Sequence, residues 1–309
     1  MGNDTLAGRV LNGDRRAVAR AITLVENGEV STGFLDGIGK NLGRAFVLGL
    51  TGPPGTGKST LVDRIIAEYR KRKMKVGVIA VDPTSPITGG ALLGDRVRMV
   101  RHTLDSGVFI RSMASRGWSG GLSGAVSEAI QILDAAGTEV VIIETVGIGQ
   151  SDIEVMKIAH AVIVVTMPGL GDDVQVSKAG LMEIGDIYAV NKSDLPGAET
   201  MVINLLSVVR DMKGRAPPVL KVSALKGDGV DLLFDAVEAL RARFHSPAGS
   251  EMRLRSVRGM ITELAKKNLL SDLEARSSTK STELAARVVD HSMTFEQAAE
   301  LLAESQRKY

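Results

Sequence analysis

The sequence of 309 residues contains no cysteine. It can therefore form neither disulfides nor thiolate metal sites, which is compatible with a reducing cytoplasm, and we expect a cytoplasmic location. Aromatic residues make up only 3% of the chain, so stacking platforms for single-stranded nucleic acid are not expected. No apolar run approaches the length of a membrane span, and the N-terminus lacks a basic-then-apolar signal pattern. We expect no membrane insertion.

Net charge is also nearly absent. The chain has 38 basic and 36 acidic residues, a formal charge of +2, which gives no electrostatic argument for binding nucleic acid. Hydrophobic residues make up 44% of the chain, as in globular proteins with a substantial core. This length fits one large α/β domain with appendages, or two domains.

Residues 52–59 match the phosphate-binding loop of nucleotide hydrolases, G-x-x-x-x-G-K-[ST]. Glycines at this spacing let the backbone turn tightly and aim successive N–H groups at phosphate oxygens. Lys58 would place its charge on the β- and γ-phosphates, and the Ser59 hydroxyl would take one Mg²⁺ position. The residues predicted to cradle the phosphates are Gly52, Pro53, Pro54, Gly55, Thr56, Gly57, Lys58, Ser59 and Thr60.

The neighbouring residues decide between a phosphate site and an ordinary Gly/Pro turn, which a chain with 34 glycines can match by accident. Residues 45–50 form a short apolar run, as in a buried parallel strand. Residues 59–72 carry apolar side chains at helical spacing. A strand, a glycine loop and a helix in this order favour the phosphate site.

Strands and helices alternate between residues 45 and 245. Six further apolar runs lie at 76–81, 108–113, 139–145, 161–167, 186–190 and 218–223. Most are separated by helical stretches, at 123–136, 174–183, 198–212 and 229–243. Repeated βα units with near-continuous apolar strands predict an α/β fold with a mostly parallel sheet covered on both faces. Ligands of such sheets bind at the carboxyl ends of the strands.

Helical patterns flank this region. Asp14 is predicted to cap a helix that ends at Asn27-Gly28. Residues 251–270 carry apolar side chains at helical intervals, and Thr294 with Gln297 forms a capping box that opens a last helix through Leu302. The C-terminal part is small for a core of its own, so we expect it to pack on the main domain or on another subunit.

Asn191-Lys192-Ser193-Asp194 follows an apolar strand and matches N-K-x-D, the element by which GTPases read guanine. The Asp194 carboxylate can accept from guanine N1–H and the 2-amino group. Adenine has no donor at either place and would leave the carboxylate unpaired. Lys192 can lay its aliphatic stem on the base, and Asn191 can brace the loop. The alternative is a solvated turn.

Ser223-Ala224-Leu225, at the end of the next strand, resembles the companion loop whose backbone N–H meets guanine O6. With guanine recognition added, the fold class becomes a P-loop NTPase G domain with helical extensions at both ends. We expect an N-terminal extension at 1–40, the G domain at 41–245 and a C-terminal extension at 246–309.

Carboxylates follow two of the apolar strands. Glu144 opens the tetrapeptide that ends at Gly147, where GTPases usually carry D-x-x-G, with the Asp on Mg²⁺ and the Gly N–H on the γ-phosphate. Asp82 ends another strand, and Asp95 closes the loop after it. The predicted metal ligands are Ser59, Asp82, Asp95 and Glu144, and the predicted catalytic residues are Lys58, Asp82, Glu144 and Gly147. The alternative for Glu144 is a strand-end cap.

Taken together, these residues resemble the MeaB/ArgK family of G-proteins. The segments that carry the resemblance are Gly52 to Thr60, Val81 to Pro86, Gly94 to Arg96, Ser112 to Gly117, Glu144 to Gly147 with Gln150-Ser151, and Asn191 to Asp194. Members usually carry Arg-Gly-His where this chain has Arg116-Gly117-Trp118.

The resemblance implies a GTPase that chaperones an adenosylcobalamin-dependent acyl-CoA mutase, typically methylmalonyl-CoA mutase. Such a protein gates cofactor loading and protects or reactivates the mutase, using GTP and Mg²⁺. It also implies a homodimer built through the C-terminal helices and a further switch at Gly171 to Lys178. An older family label offers the alternative of a nucleotide-dependent kinase or ATPase linked to lysine, arginine and ornithine transport.

Overall fold

The computed structural model describes residues 5–82, 100–102, 104–114, 121–145, 153–154, 156–169, 181–210 and 217–307. Seven strands within these ranges form one sheet: β1 Phe46–Thr51, β2 Val76–Asp82, β3 Val108–Ala114, β4 Val140–Thr145, β5 Ala161–Thr166, β6 Ile187–Val190 and β7 Val219–Lys221. Their order is β3-β2-β4-β1-β5-β6-β7, and every pairing among them is parallel. The predicted parallel α/β fold is confirmed, and each predicted apolar run overlaps a strand.

The described helices alternate with these strands and extend beyond them at both ends of the chain. They are α1 Leu6–Leu11, α2 Arg15–Asn27, α3 Thr32–Ile38, α4 Lys58–Lys71, α5 Gly121–Ala135, α6 Leu181–Ile184, α7 Ala198–Arg210, α8 Val230–Phe244, α9 Ser250–Val289 and α10 Phe295–Arg307. The predicted helical stretch at 174–183 lies partly outside the described residues, which resume with α6. None of the described helices is both long and apolar enough to cross a membrane.

The core forms two layers, one on each face of the sheet. Alternate side chains of β1 divide between them: Phe46, Leu48 and Leu50 pack with the apolar faces of α4 and α8, and Val47 packs with those of α2 and α5. All six residues of β1, β4 and β5 are buried. Burial on both faces is the reason these strands read as near-continuous apolar runs instead of alternating ones.

At the N-terminal end, α2 begins and ends at the predicted caps. The Asp14 carboxylate accepts from the N–H groups of Arg16 and Ala17 at 2.9 and 3.2 Å. Gly28 terminates the helix in the left-handed conformation, with φ at 72°. An ion pair between Arg111 on β3 and Glu26 on α2 attaches this helix to the strand at the edge of the sheet.

At the C-terminal end, α9 has 40 residues and is far longer than its apolar pattern at 251–270 predicted. The sequence after Gly259 contains neither proline nor glycine, so nothing local stops the helix once it has begun. The predicted capping box is present: the Gln297 N–H donates to the Thr294 Oγ1 at 3.2 Å, and the Thr294 N–H donates to the Gln297 side chain at 3.1 Å.

Candidate nucleotide site

The loop between β1 and α4 holds Gly52 and Gly57 in backbone conformations that residues with a side chain rarely adopt. Gly52 has φ of 140°, and a Cβ there would lie 2.0 Å from the Val165 carbonyl oxygen. Gly57 has φ of 90°, and a Cβ there would lie 2.3 Å from the Asn191 amide nitrogen. Any side chain at either position would therefore clash as well as strain the backbone. These glycines therefore let the loop pack directly against β5 and Asn191.

Lys58 lies across this loop. Its Nζ donates to the carbonyl oxygens of Gly52 at 2.7 Å and Pro53 at 3.0 Å, and the side chain is buried. The Thr56 hydroxyl donates to the same Pro53 carbonyl at 2.9 Å and stiffens the turn. The Lys58 ammonium is thus held over a loop whose backbone can surround an anion. In this position it can neutralise phosphate charge.

The helix that follows presents its amino end to the loop. The N-cap of α4 is Gly57, which has no side chain to occupy the first N–H groups of the helix. Those groups lack acceptors within the helix and carry the positive end of its dipole. Such a helix start after a glycine loop is a ready site for a nucleotide's phosphates.

Ser59 and Glu144 meet beside this helix start. The Ser59 hydroxyl donates to Glu144 Oε1 at 2.6 Å, and both side chains are buried. Glu144 lies beside Leu50 of β1 and Ala80 of β2 in the sheet register. Asp82, the last residue of β2, therefore ends at the same edge. The predicted ligand Asp95 and the predicted catalytic Gly147 lie outside the described residues, as does the segment at 171–178.

Asn191 links the phosphate loop to the loop after β7. Its side-chain NH₂ donates to the Thr56 carbonyl at 2.7 Å, and its Oδ1 accepts from the Ala224 N–H at 3.0 Å. The residue is buried, so both bonds are shielded from water. One amide thus fixes the distance between the part of the chain that can hold phosphates and the part that can hold a base.

Asp194 lies in the loop after β6, against the loop after β7. Its Oδ1 accepts from the Ser223 hydroxyl at 2.8 Å, and Lys226 Nζ lies 3.3 Å from its Oδ2. These contacts, the Ser223 hydrogen bond foremost, lower the pKa of Asp194 below its ordinary value. The carboxylate is therefore ionised at neutral pH and can accept hydrogen bonds from a base. Lys192, with φ at 55°, turns the chain between Asn191 and Asp194.

Arg64 on α4 belongs to no sequence motif, yet it contacts the loop after β7. Its guanidinium donates from Nε to the Ala224 carbonyl and from the second nitrogen to the Leu225 carbonyl, both at 2.8 Å. Arginine on the surface of a helix is common and carries no motif, so no signal in the sequence could have selected it. The contact joins the helix of the phosphate loop to the predicted base loop.

A second unpredicted cluster lies one helical turn after Ser59. The Asp63 carboxylate accepts from Arg101, and His102 Nε2 lies 3.0 Å from the Asp63 Oδ1. Burial and the neighbouring Arg101 charge lower the pKa of His102. These contacts attach residues 100–102, which lead into β3, to the helix that carries Ser59.

A family model described as methylmalonyl-CoA mutase-associated GTPase MeaB matches residues 18–278. A protein named as a putative GTPase from Pyrococcus horikoshii is 52% identical over 242 residues, covering 76% of each chain. The GTPase ArgK of Escherichia coli K12 is 39% identical over 241 residues, covering 74% of this chain and 73% of its own.

Two further comparisons involve a mammalian protein and a solved structure. A mouse protein named methylmalonic aciduria type A homolog, mitochondrial, is 31% identical over 258 residues, covering 76% of this chain and 62% of its own. A crystal structure described as a LAO/AO transport system kinase superposes with a TM-score of 0.69 at 26% identity, covering 98% of this chain and 97% of its own. The chain is a P-loop GTPase and belongs to the MeaB family of methylmalonyl-CoA mutase-associated GTPases.

Proposed function

We propose that this protein is a Mg²⁺-dependent GTPase that chaperones an adenosylcobalamin-dependent acyl-CoA mutase of the methylmalonyl-CoA mutase type. In this role it gates cofactor loading and protects or reactivates the mutase. The observation that carries the nucleotide part is the convergence of Lys58, the Ser59–Glu144 pair, Asn191 and Asp194 at one edge of the sheet. The family description and the mouse relative's name support the mutase as partner.

GTP hydrolysis needs little covalent chemistry from the protein, so its residues position groups and neutralise charge. Lys58 and the N–H groups at the start of α4 stabilise negative charge on the phosphates. Glu144 and Asp82 lie at the carboxyl ends of neighbouring strands, where they orient Ser59 and the attacking water. The Gly147 N–H reports the γ-phosphate, as in D-x-x-G elements. Ile148 stands where Ras-like enzymes have their water-orienting Gln, so we expect slow turnover by the chain alone.

The oxygen atoms of side chains beside the phosphate loop are suitable ligands for Mg²⁺. Ser59 and Glu144 supply a hydroxyl and a carboxylate within hydrogen-bond distance of each other, and Asp82 ends the adjacent strand. Mg²⁺ prefers oxygen ligands and commonly takes one or two from the protein, the rest from phosphate and water. When bound, it would neutralise charge that develops on the phosphates. We assign Ser59, Asp82, Asp95 and Glu144 to holding it, directly or through water.

Guanine selection follows from the charge state of Asp194. An ionised carboxylate is an acceptor only, and guanine offers two donors on the edge that adenine lacks. Ser223 keeps the carboxylate ionised and oriented. Lys192 covers the base with its aliphatic stem, and the loop Ser223 to Leu225 supplies backbone N–H to O6.

We also propose that the molecule is a homodimer built through its C-terminal extension at 246–309, next to the G domain at 41–245 and the N-terminal extension at 1–40. Support comes from large apolar side chains that α9 leaves exposed at helical spacing. They are Leu254 at 62%, Val257 at 48%, Ile261 at 63% and Leu269 at 71% exposure. A second copy of the same face would cover them.

The test is reconstitution with the mutase. The tagged chain should retain a B12-dependent mutase in a pull-down and should hydrolyse GTP alone at roughly 10⁻⁴ to 10⁻² s⁻¹, the range of unassisted switch GTPases. Adding the mutase should raise that rate and make cofactor loading depend on GTP. Lys58→Ala serves as the control without hydrolysis. A high basal rate that no mutase changes would contradict the switch role.

The solved structure described as a transport system kinase favours one alternative, a kinase or ATPase linked to transport of basic amino acids. A kinase transfers the γ-phosphoryl group to an acceptor, so labelled phosphate would appear on an amino acid or a protein. The GTPase proposal expects it in inorganic phosphate only. The same reaction mixture therefore separates the two functions.

A further inference from the structure

We propose that Arg64 is a positioning residue for guanine specificity: it holds the loop at 223–227 so that successive backbone N–H groups face guanine O6. The inference rests on the proposed guanine site and adds a residue to it that no motif contains. It acts through the loop and does not touch the nucleotide. Three observations lead to it.

The first is the pair of carbonyls that Arg64 binds. They belong to consecutive residues, Ala224 and Leu225, and each hydrogen bond measures 2.8 Å. The rigid fork of a guanidinium matches two parallel acceptors, and a lysine ammonium cannot reproduce both bonds. The Arg64 side chain is half-buried, whereas the Leu225 residue it restrains is 80% exposed.

The second is the geometry of a peptide unit. In a planar trans peptide the C=O and the following N–H point in opposite directions. The carbonyl of Ala224 shares its peptide with the N–H of Leu225, and the carbonyl of Leu225 shares its peptide with the N–H of Lys226. By turning both carbonyls toward α4, Arg64 therefore turns both N–H groups to the side away from α4.

The third is the difference between two successive N–H groups of the loop, those of Ala224 and Leu225. The Ala224 N–H donates to Asn191 Oδ1, and so it already has an acceptor. Among the described residues, the Leu225 N–H has no hydrogen-bond acceptor. It is the nearest donor to Ala224 in a loop that Ser223 ties to Asp194 at 2.8 Å. When Asp194 binds the N1–H and the 2-amino group of guanine, the Leu225 N–H would thus be the donor that faces O6.

The loop needs such a restraint because its strand holds it weakly. β7 has only three residues, lies at the edge of the sheet and pairs on one side with β6. The Ser223 N–H donates to the Asp228 carbonyl at 2.8 Å and the Gly227 N–H to the Ser223 carbonyl at 2.7 Å, so the base of the loop is closed. The carbonyls of Ala224 and Leu225 bind Arg64, and its removal would release the two peptides whose N–H groups belong to Leu225 and Lys226. Arg64 thereby joins base recognition to α4, the helix whose first turn carries Lys58 and Ser59.

The experiment compares nucleotides whose bases differ at positions 1, 2 and 6. Binding of GTP, ITP and 2,6-diaminopurine riboside triphosphate is measured by calorimetry for wild type, Arg64→Ala and Arg64→Lys. GTP and ITP both carry O6 and N1–H, whereas the diaminopurine has an amino group in place of O6 and no hydrogen on N1. The loss of N1–H weakens its contact with Asp194 equally in every variant, so the comparison uses the change in affinity that each variant causes. Arg64→Ala should weaken GTP and ITP by the same factor, about tenfold, and leave the diaminopurine nearly unchanged. Arg64→Lys should give a smaller loss.

Lys71→Ala is the matched control, because Lys71 is a cation on the same helix whose contact is Glu68. It should bind all three nucleotides as wild type does. For GTP hydrolysis, Arg64→Ala should raise KM with little change in kcat, since the phosphate end is intact. If Arg64→Ala does not fold, Arg64→Lys carries the comparison.

Three other results would contradict the proposed role of Arg64 or of the guanine site. Equal loss for all three nucleotides would make Arg64 a purely structural residue and overturn the inference, as would wild-type discrimination in both variants. If wild type itself does not prefer GTP to the diaminopurine, the guanine assignment fails first, and that result is distinct from a failure of Arg64 alone.

Discussion

Ser59 and Glu144, which are 85 residues apart in the sequence, share a buried hydrogen bond of 2.6 Å. The bond joins the first turn of α4 to the carboxyl end of β4. It places the single carboxylate of the Glu-Thr-Val-Gly element against the residue that phosphate-loop proteins use for Mg²⁺. The extra methylene of glutamate, compared with the usual aspartate, does not prevent this contact.

Replacing Glu144 with Gln should weaken Mg²⁺-dependent GTP binding by roughly ten- to a hundredfold, because the amide keeps an acceptor for Ser59 but loses the charge that orients the metal site. Binding in EDTA should change much less. Calorimetry with and without Mg²⁺ measures both. Glu199→Gln, at an acid that is 74% exposed and pairs with Lys221, is the control and should behave as wild type. Equal Mg²⁺ dependence in Glu144→Gln and wild type would remove Glu144 from the metal site.

Asp194→Asn should weaken GTP and improve binding of xanthosine triphosphate. The amide can donate to the second carbonyl of xanthine, where the carboxylate could only accept. Competition between the two nucleotides measures the change in their ratio, which we expect to exceed a hundredfold. Asp231→Asn on α8 is the control.

Because the Ser223 hydrogen bond lowers the pKa of Asp194, wild-type preference for GTP should stay constant from pH 8 down to pH 5. If wild type binds ATP as tightly as GTP, the assignment is wrong.

His160 should make stability depend on pH. Burial, followed by nearby cationic side chains, lowers its pKa from 6.5 to about 3, and its Nδ1 accepts from the Val47 N–H at 2.8 Å. The unfolded chain therefore takes up the proton first as pH falls, so stability is lost below pH 6.5 and the loss continues toward pH 3. Between pH 7 and pH 5 the loss from this group amounts to about 2 kcal/mol.

The measurement is urea unfolding at several pH values for wild type and His160→Asn. Asparagine can offer its Oδ1 to Val47 and does not titrate, so its stability should fall less steeply below pH 6.5. His291→Asn, at an exposed histidine, keeps the wild-type slope. Parallel curves for His160→Asn and wild type would show that His160 does not control acid stability.

The ion pair between Lys267 on α9 and Glu128 on α5 should hold the long helix to the G domain. Both side chains are largely buried, at 17% and 6% exposure. Lys267→Met leaves the Glu128 carboxylate buried without its cation, which should lower the free energy of unfolding by about 3 kcal/mol. Adding Glu128→Gln should restore part of that loss. Thermal unfolding of each variant measures these losses. Lys221→Met, which breaks an exposed pair with Glu199, is the control and should cost less than about 1 kcal/mol.

Local patterns in the sequence determined the strands, the phosphate loop and the caps of α2 and α10. Each depends on residues close together in the chain: apolar runs, the glycine spacing at 52–57, and the Thr294–Gln297 pair. Such features form through backbone conformation and neighbouring hydrogen bonds, so the sequence predicts them without knowledge of the fold. The nucleotide motifs were recognisable for the same reason.

Contacts between distant segments were decided only by the tertiary structure. Arg64 reaches the carbonyls of Ala224 and Leu225 across 160 residues or more, and its neighbours on α4 give no sign of this role. His160 is neutral because the fold encloses it between Phe46 and Phe244. The length of α9 follows from an absence of helix breakers, but its position against α5 depends on packing. Sheet order brings these segments together, and no local pattern encodes which surfaces will meet.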